Sequence, residues 1–79
     1  MSKRRKTPPE LVALRSRFNT ALAEAGSSMA QWCRDSEWSR AHVVHTLAGS
    51  RESERVLASV REFTERQEAR MRARLKAVA

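Results

Sequence analysis

Residues 28–49, SMAQWCRDSEWSRAHVVHTLAG, decide the fold. Ser28 and Ser39 each stand where a side-chain oxygen caps the start of a helix, and Gln31, three positions after Ser28, completes a capping box. In the first segment Met29, Trp32, Cys33 and Ser36 fall on one face; in the second, Val43, Leu47 and, to a lesser degree, Thr46 do so. The pattern predicts two short helices joined by the turn Ser36-Glu37-Trp38, with Trp38 plugging the angle between them and Gly49 closing the second. Arg40, Ala41, Val44 and His45 are left on the outer face. Solvated helices usually carry charge at such positions, so the pairing of Ala41 with Val44 marks this face as a surface for something other than water. A DNA major groove suits it: small apolar groups sit against thymine methyls, an arginine bonds guanine bidentately, and an imidazole can donate to a base or phosphate. A short surface helix with an ordinary valine remains the competing reading.

Upstream, Thr7, Pro8 and Glu10 read as a cap, a first-turn proline and the far side of a capping box. Leu11, Leu14, Phe18, Leu22 and Ala25 then recur at three- and four-residue steps as a core stripe, with Arg15, Arg17 and Asn19 outward and Gly26 as terminator. Downstream of Gly49 no glycine or proline follows, which predicts one long helix capped by Ser53 and beginning near Glu54. Val56, Leu57, Val60 and Phe63 close the core; Gln67, Met71, Leu75 and Val78 continue the stripe where a small domain has no core left to cover it. These four are expected to meet a second copy or another protein, a frayed solvated tail being the competing reading.

The 79 residues make one small domain with four aromatic side chains. The expected division is a disordered basic arm over residues 1–6, a domain over 7–63 and a basic helical extension over 64–79. Sixteen basic and nine acidic residues give a formal charge of +7, unevenly placed. Residues 1–6 hold four basic groups and residues 69–79 another four, neither with an acid, whereas residues 7–68 are close to neutral. Basic ends attract a polyanion in a salt-dependent way, and they also serve solubility alone. No apolar run is long enough to span a bilayer and the basic start leads into TPPE rather than an apolar stretch, so no membrane partner and a cytoplasmic location are expected. The lone Cys33 fits a reducing compartment and, on the inward face, a packing role. Cys33, His42 and His45 are an incomplete ligand set, so neither metal nor cofactor is expected. Without a carboxylate pair, an activated nucleophile or a phosphate-cradling loop, neither is an enzyme or a small-molecule substrate.

The stretch GSSMAQWCRDSEWSRAHVVHTLAGSRES resembles the helix-turn-helix of lambda-repressor-like regulators of the Xre and Cro type, and small phage regulators of the Ner kind are similar in size. Cys33 stands where that family usually has alanine, and Trp38 where it has an apolar turn residue. Ser39 and Arg40 match its recognition-helix start, Val43 and Leu47 its buried positions, Gly49 its terminator. Met29 departs from the family's phosphate-contacting glutamine and Glu37 from its turn glycine, which predicts a wider or strained turn. The resemblance implies an all-α helix-turn-helix domain of four to five helices with a long C-terminal helix, bound to double-stranded DNA, often as a homodimer on a palindrome. On that reading Arg40, Ala41, Val44 and His45 read bases, while Ser28, Gln31, Ser39, Arg51, Lys3, Arg4, Arg5 and Lys6 meet phosphates. The expected function is a sequence-specific transcriptional regulator, a repressor of phage or mobile-element origin. An accessory of phage packaging or transposition, or a protein-interaction adaptor, are the alternatives on the same scaffold.

Overall fold

A computed structural model describes residues 7–78, with the Val78 side chain excepted. Among these residues there are four helices and no strand: α1 (Pro9–Glu24), α2 (Met29–Ser36), α3 (Arg40–Ala48) and α4 (Glu54–Val78). The basic arm expected over residues 1–6 lies outside them.

Leu14, Phe18 and Leu22 from α1 meet Trp32 and Cys33 from α2, Val43 and Leu47 from α3, and Val56 and Val60 from α4 in one core. Met29, Trp38, Leu57 and Phe63 pack against its margin. The Phe18 ring stands edge-on to Trp32 at 4.9 Å and to Phe63 at 5.8 Å, so one α1 side chain joins α2 to α4 through favourable aromatic geometry. The stripe on α1 differs from expectation at one place. Ala25 is exposed beyond the last helical residue, and Ala21 is buried instead, because the helix ends before its periodicity could carry Ala25 inward.

Each of the first three helices ends in a left-handed residue whose own amide and the one after it reach back to orphaned carbonyls. Ser27 N–H reaches Leu22 O at 2.9 Å past Gly26, Trp38 N–H reaches Cys33 O at 2.9 Å past Glu37, and Ser50 N–H reaches His45 O at 3.1 Å past Gly49. Glycine takes that conformation freely. Glu37 takes it at φ 62°, ψ 29° with a Cβ, so the expected strain resides in one residue and the α2–α3 connection stays three residues long.

The predicted start of α1 is corrected. The helix begins at Pro9, Pro8 precedes it, and no side chain caps it. Thr7 instead donates its hydroxyl to Ala48 O at 2.8 Å, which ties the entrance of α1 to the last turn of α3. Gly49 sits in the same junction: a Cβ there would lie 3.1 Å from Pro8 Cδ. The caps of α2, α3 and α4 form as read, with Gln31 N–H on Ser28 Oγ at 3.1 Å, His42 N–H on Ser39 Oγ at 3.4 Å and Val56 N–H on Ser53 Oγ at 3.4 Å.

Helix α4 packs most extensively on α1. Residues 63 and 64 mark no break in it, since the helix is continuous and Thr64 and Gln67 are both buried. Thr64 stays satisfied by donating to Val60 O at 2.7 Å within the helix. Gln67, only 5% exposed, is part of the domain's interior and is corrected from the partner-facing set. The expected boundary at residue 63 therefore cuts through packed structure. Beside Gln67, Arg17 holds Glu68 with two hydrogen bonds of 2.9 and 2.6 Å, a polar tie between α1 and α4. That carboxyl is held below the usual carboxylate range, first by the hydrogen bond from Arg17 and further by nearby positive charge, and the Arg17 guanidinium is held above its ordinary value by the same contact.

Candidate nucleic-acid interface

Helix α3 is anchored from three directions. Val43 and Leu47 hold it to the core, the Ser39 cap fixes its first turn, and the Thr7 hydroxyl with the Gly49 turn fixes its last. Thr46, nominated only as partly inward, is fully buried and donates to His42 O at 2.7 Å. Trp38 stands edge-on to the His42 ring at 5.7 Å, so the aromatic plug foreseen in the turn braces α3 through its third residue. A nine-residue helix held this way presents its outer side chains from a fixed backbone.

Arg40, Ala41, Val44 and His45 are all exposed, and their i, i+1, i+4, i+5 spacing places them on one continuous arc. Val44 is 45% exposed, one of three large apolar side chains so open among the described residues. No carboxylate occurs between Glu37 and Glu52 in the chain, and among the described residues the ion pairs are Arg17–Glu68 and Arg66–Glu62. Arg40 therefore points its charge at solvent without an internal partner. Burial pushes the Cys33 thiol up, with the positive charge of Arg40 partly opposing it, so the thiol stays protonated beneath the α3 face and is chemically quiet.

His45 is held by a residue that the sequence reading did not single out. Ser50 Oγ donates to His45 O at 3.1 Å and lies 3.4 Å from His45 Nδ1. The contact fixes the ring beside the helix-ending turn while its side chain stays exposed. The signal was present in the serine that follows the helix-ending glycine.

The phosphate candidates separate into different settings. Ser28 and Ser39 are exposed caps whose hydroxyl oxygens each accept a backbone N–H and whose protons remain free to donate. Gln31 does not reach back to its cap: its Nε2 donates to Asp35 Oδ1 at 2.9 Å along the outer side of α2. The second half of the expected capping box is thereby replaced by an i, i+4 side-chain pair, and one of the two amide protons is engaged. Arg51 is exposed and lines a cleft of about 520 Å³ with Pro8, Leu11, Glu52 and Glu54, so carboxylates share its setting. Lys3, Arg4, Arg5 and Lys6 lie outside the described residues.

No family model, curated protein or solved structure matches this chain. Among the described residues no group of three or more His, Cys, Asp or Glu side chains is placed to hold a metal ion, and no helix is long and apolar enough to cross a membrane. Met71 is half-buried and Leu75 is 71% exposed, while Val78 belongs to α4 without a described side chain. The structure thus brings the α3 set onto one face, leaves Ser28 and Ser39 at helix starts, and splits the stripe on α4 between interior and surface.

Proposed function

We propose that the protein is a sequence-specific double-stranded DNA-binding regulator that inserts α3 into the major groove. The observation that carries this reading is the outer face of α3: exposed, free of carboxylates, and combining Arg40 with Ala41 and Val44 on a backbone fixed at both ends. Arg40 bonds a guanine edge bidentately, Ala41 and Val44 meet thymine methyls, and the His45 ring hydrogen-bonds a base or phosphate. Ser28 and Ser39 donate to phosphates and set the register. The neutral centre of the chain contributes little long-range attraction, so the basic ends supply most of the salt-sensitive affinity. Occupying a groove suffices to exclude polymerase, and repression is the role proposed.

The test is selection of bound sequences from a random duplex pool, carried out with the wild-type chain and with Arg40→Ala. A defined motif is expected, and the variant should bind it about 1–3 kcal/mol more weakly with relaxed preference at one base pair. An unchanged motif and affinity in the variant would remove Arg40 from the base-reading set, and failure to select any motif would overturn the reading. The same exposed Ala41 and Val44 also support a second reading, in which the α3 face meets another protein; binding to a protein surface that Val44→Asp abolishes, with no duplex selected, would establish it.

A further inference from the structure

The last turns of α4 carry a surface independent of the α3 face. Met71 and Leu75 lie one helical turn apart on the same side, and with Glu24 and Arg74 they line an apolar cleft of about 290 Å³ beside the end of α1. At 100° per residue, Arg70 and Arg74 run along one flank of this stripe and Arg72 and Lys76 along the other, all four exposed. Residues 69–79 contain no acid, and the preceding carboxylate, Glu68, is already held by Arg17. The result is a narrow apolar seam between two basic rails.

We propose that this seam docks an acidic amphipathic helix of another protein, rather than a second copy of this chain. Pairing two such tails, parallel or antiparallel, would line the joint with four cations from each copy against only Glu24 at its edge. Shifting one copy toward the start of α4 does not help, because the exposed residues there are Glu54, Arg55, Ala58, Arg61, Glu62, Glu65 and Arg66, without a large apolar group to cover Leu75. Two apolar side chains per copy also fall well short of the roughly 1,200–2,000 Å² that a stable interface buries. An acidic helix with leucines one turn apart satisfies both features at once, its carboxylates facing the rails and its leucines filling the cleft beside Glu24. Duplex DNA would neutralise the rails but leave Met71 and Leu75 in water. With so little apolar area, the attraction is mostly electrostatic, and the complex is weak and salt-sensitive.

The experiment titrates the full chain into a fluorescent synthetic peptide of about four helical turns, with leucines spaced at i and i+4 and glutamates on both sides. A control peptide has the same composition with the leucines scattered. Binding at low salt is expected, weaker by about tenfold for the control, for Leu75→Ser and for Arg70→Ala with Arg74→Ala, while the helical circular dichroism of each variant matches wild type. Equal binding of the two peptides, or no binding of either, would overturn the proposal. So would dimerisation in sedimentation that Leu75→Ser abolishes, since the stripe would then belong to a second copy. Loss of affinity confined to duplex DNA or to anionic vesicles in the same variants would likewise assign the surface to a nucleic acid or a membrane.

Discussion

Residues 54–67 and 68–78 belong to one unbroken helix and one helical stripe, yet they live in different environments. In the first part Val56 and Val60 have no exposed surface and even Gln67 is interior; in the second Leu75 is 71% exposed. The period that places the side chains is the same throughout. What changes is the neighbour. Helix α1 has 16 residues and α4 has 25, so at 1.5 Å per residue α4 outreaches α1 by roughly 13 Å. Apolar spacing alone thus says which side of a helix is inward only while another helix lies alongside.

The comparison is broken most directly by truncating one side chain from each part. Val60→Ala should destabilise the fold by about 2–3 kcal/mol, the lost methyl burial plus a cavity among Phe18, Val43 and their neighbours. Urea unfolding measures this, and a loss below about 0.5 kcal/mol would mean that α4 contributes little to the core. Leu75 lies at the other extreme.

A smaller effect, of opposite sign, is expected away from α4. Glu37→Gly should raise stability by about 1 kcal/mol, because glycine occupies the left-handed region without the steric cost that a Cβ incurs. An unchanged or lower urea midpoint would show that the Glu37 conformation is not strained. Its Gly26 and Gly49 counterparts already lack that cost, so the three helix ends form an internal control.

The border between the two parts of α4 is marked by the Arg17–Glu68 pair, whose contribution depends on pH. The Glu68 carboxyl is depressed in the folded state, so its contribution is present above about pH 4.5 and is lost as pH falls through the lower folded value. Thermal unfolding of Glu68→Gln should accordingly fall less steeply than wild type below that pH, and parallel curves would show that the pair adds nothing. Both partners are accessible to water, which keeps the effect modest and salt-sensitive. Smallest of all, Leu75→Ser should leave urea stability within about 0.5 kcal/mol of wild type. A larger loss would place Leu75 in the fold rather than on a surface.

Much of the α2–α3 region was legible from residue type alone. Serine oxygens at positions 28, 39 and 53 cap the helices they precede, Gly26 and Gly49 take the left-handed turn, and the outer set of α3 is exposed as its spacing requires. These features depend on contacts within a few residues. Local spacing misleads where a second partner competes with the expected one. Thr7 was read as a cap but donates to Ala48, forty-one residues away, and Gln31 left its capping serine for Asp35. Ser50 gained its hold on His45 only once the Gly49 turn had folded it back.

Residue type and spacing were enough for an all-helical chain, the serine caps of α2, α3 and α4 and the residues on the outer side of α3, because those follow from hydrogen bonds and periodicity short in range. The sequence also determined where the charge lies. Tertiary structure alone decided that Gln67 is interior, that Leu75 is not, and that Thr7 ties the entrance of α1 to the end of α3. Each of those outcomes rests on what a distant segment, or the limited length of α1, leaves within reach.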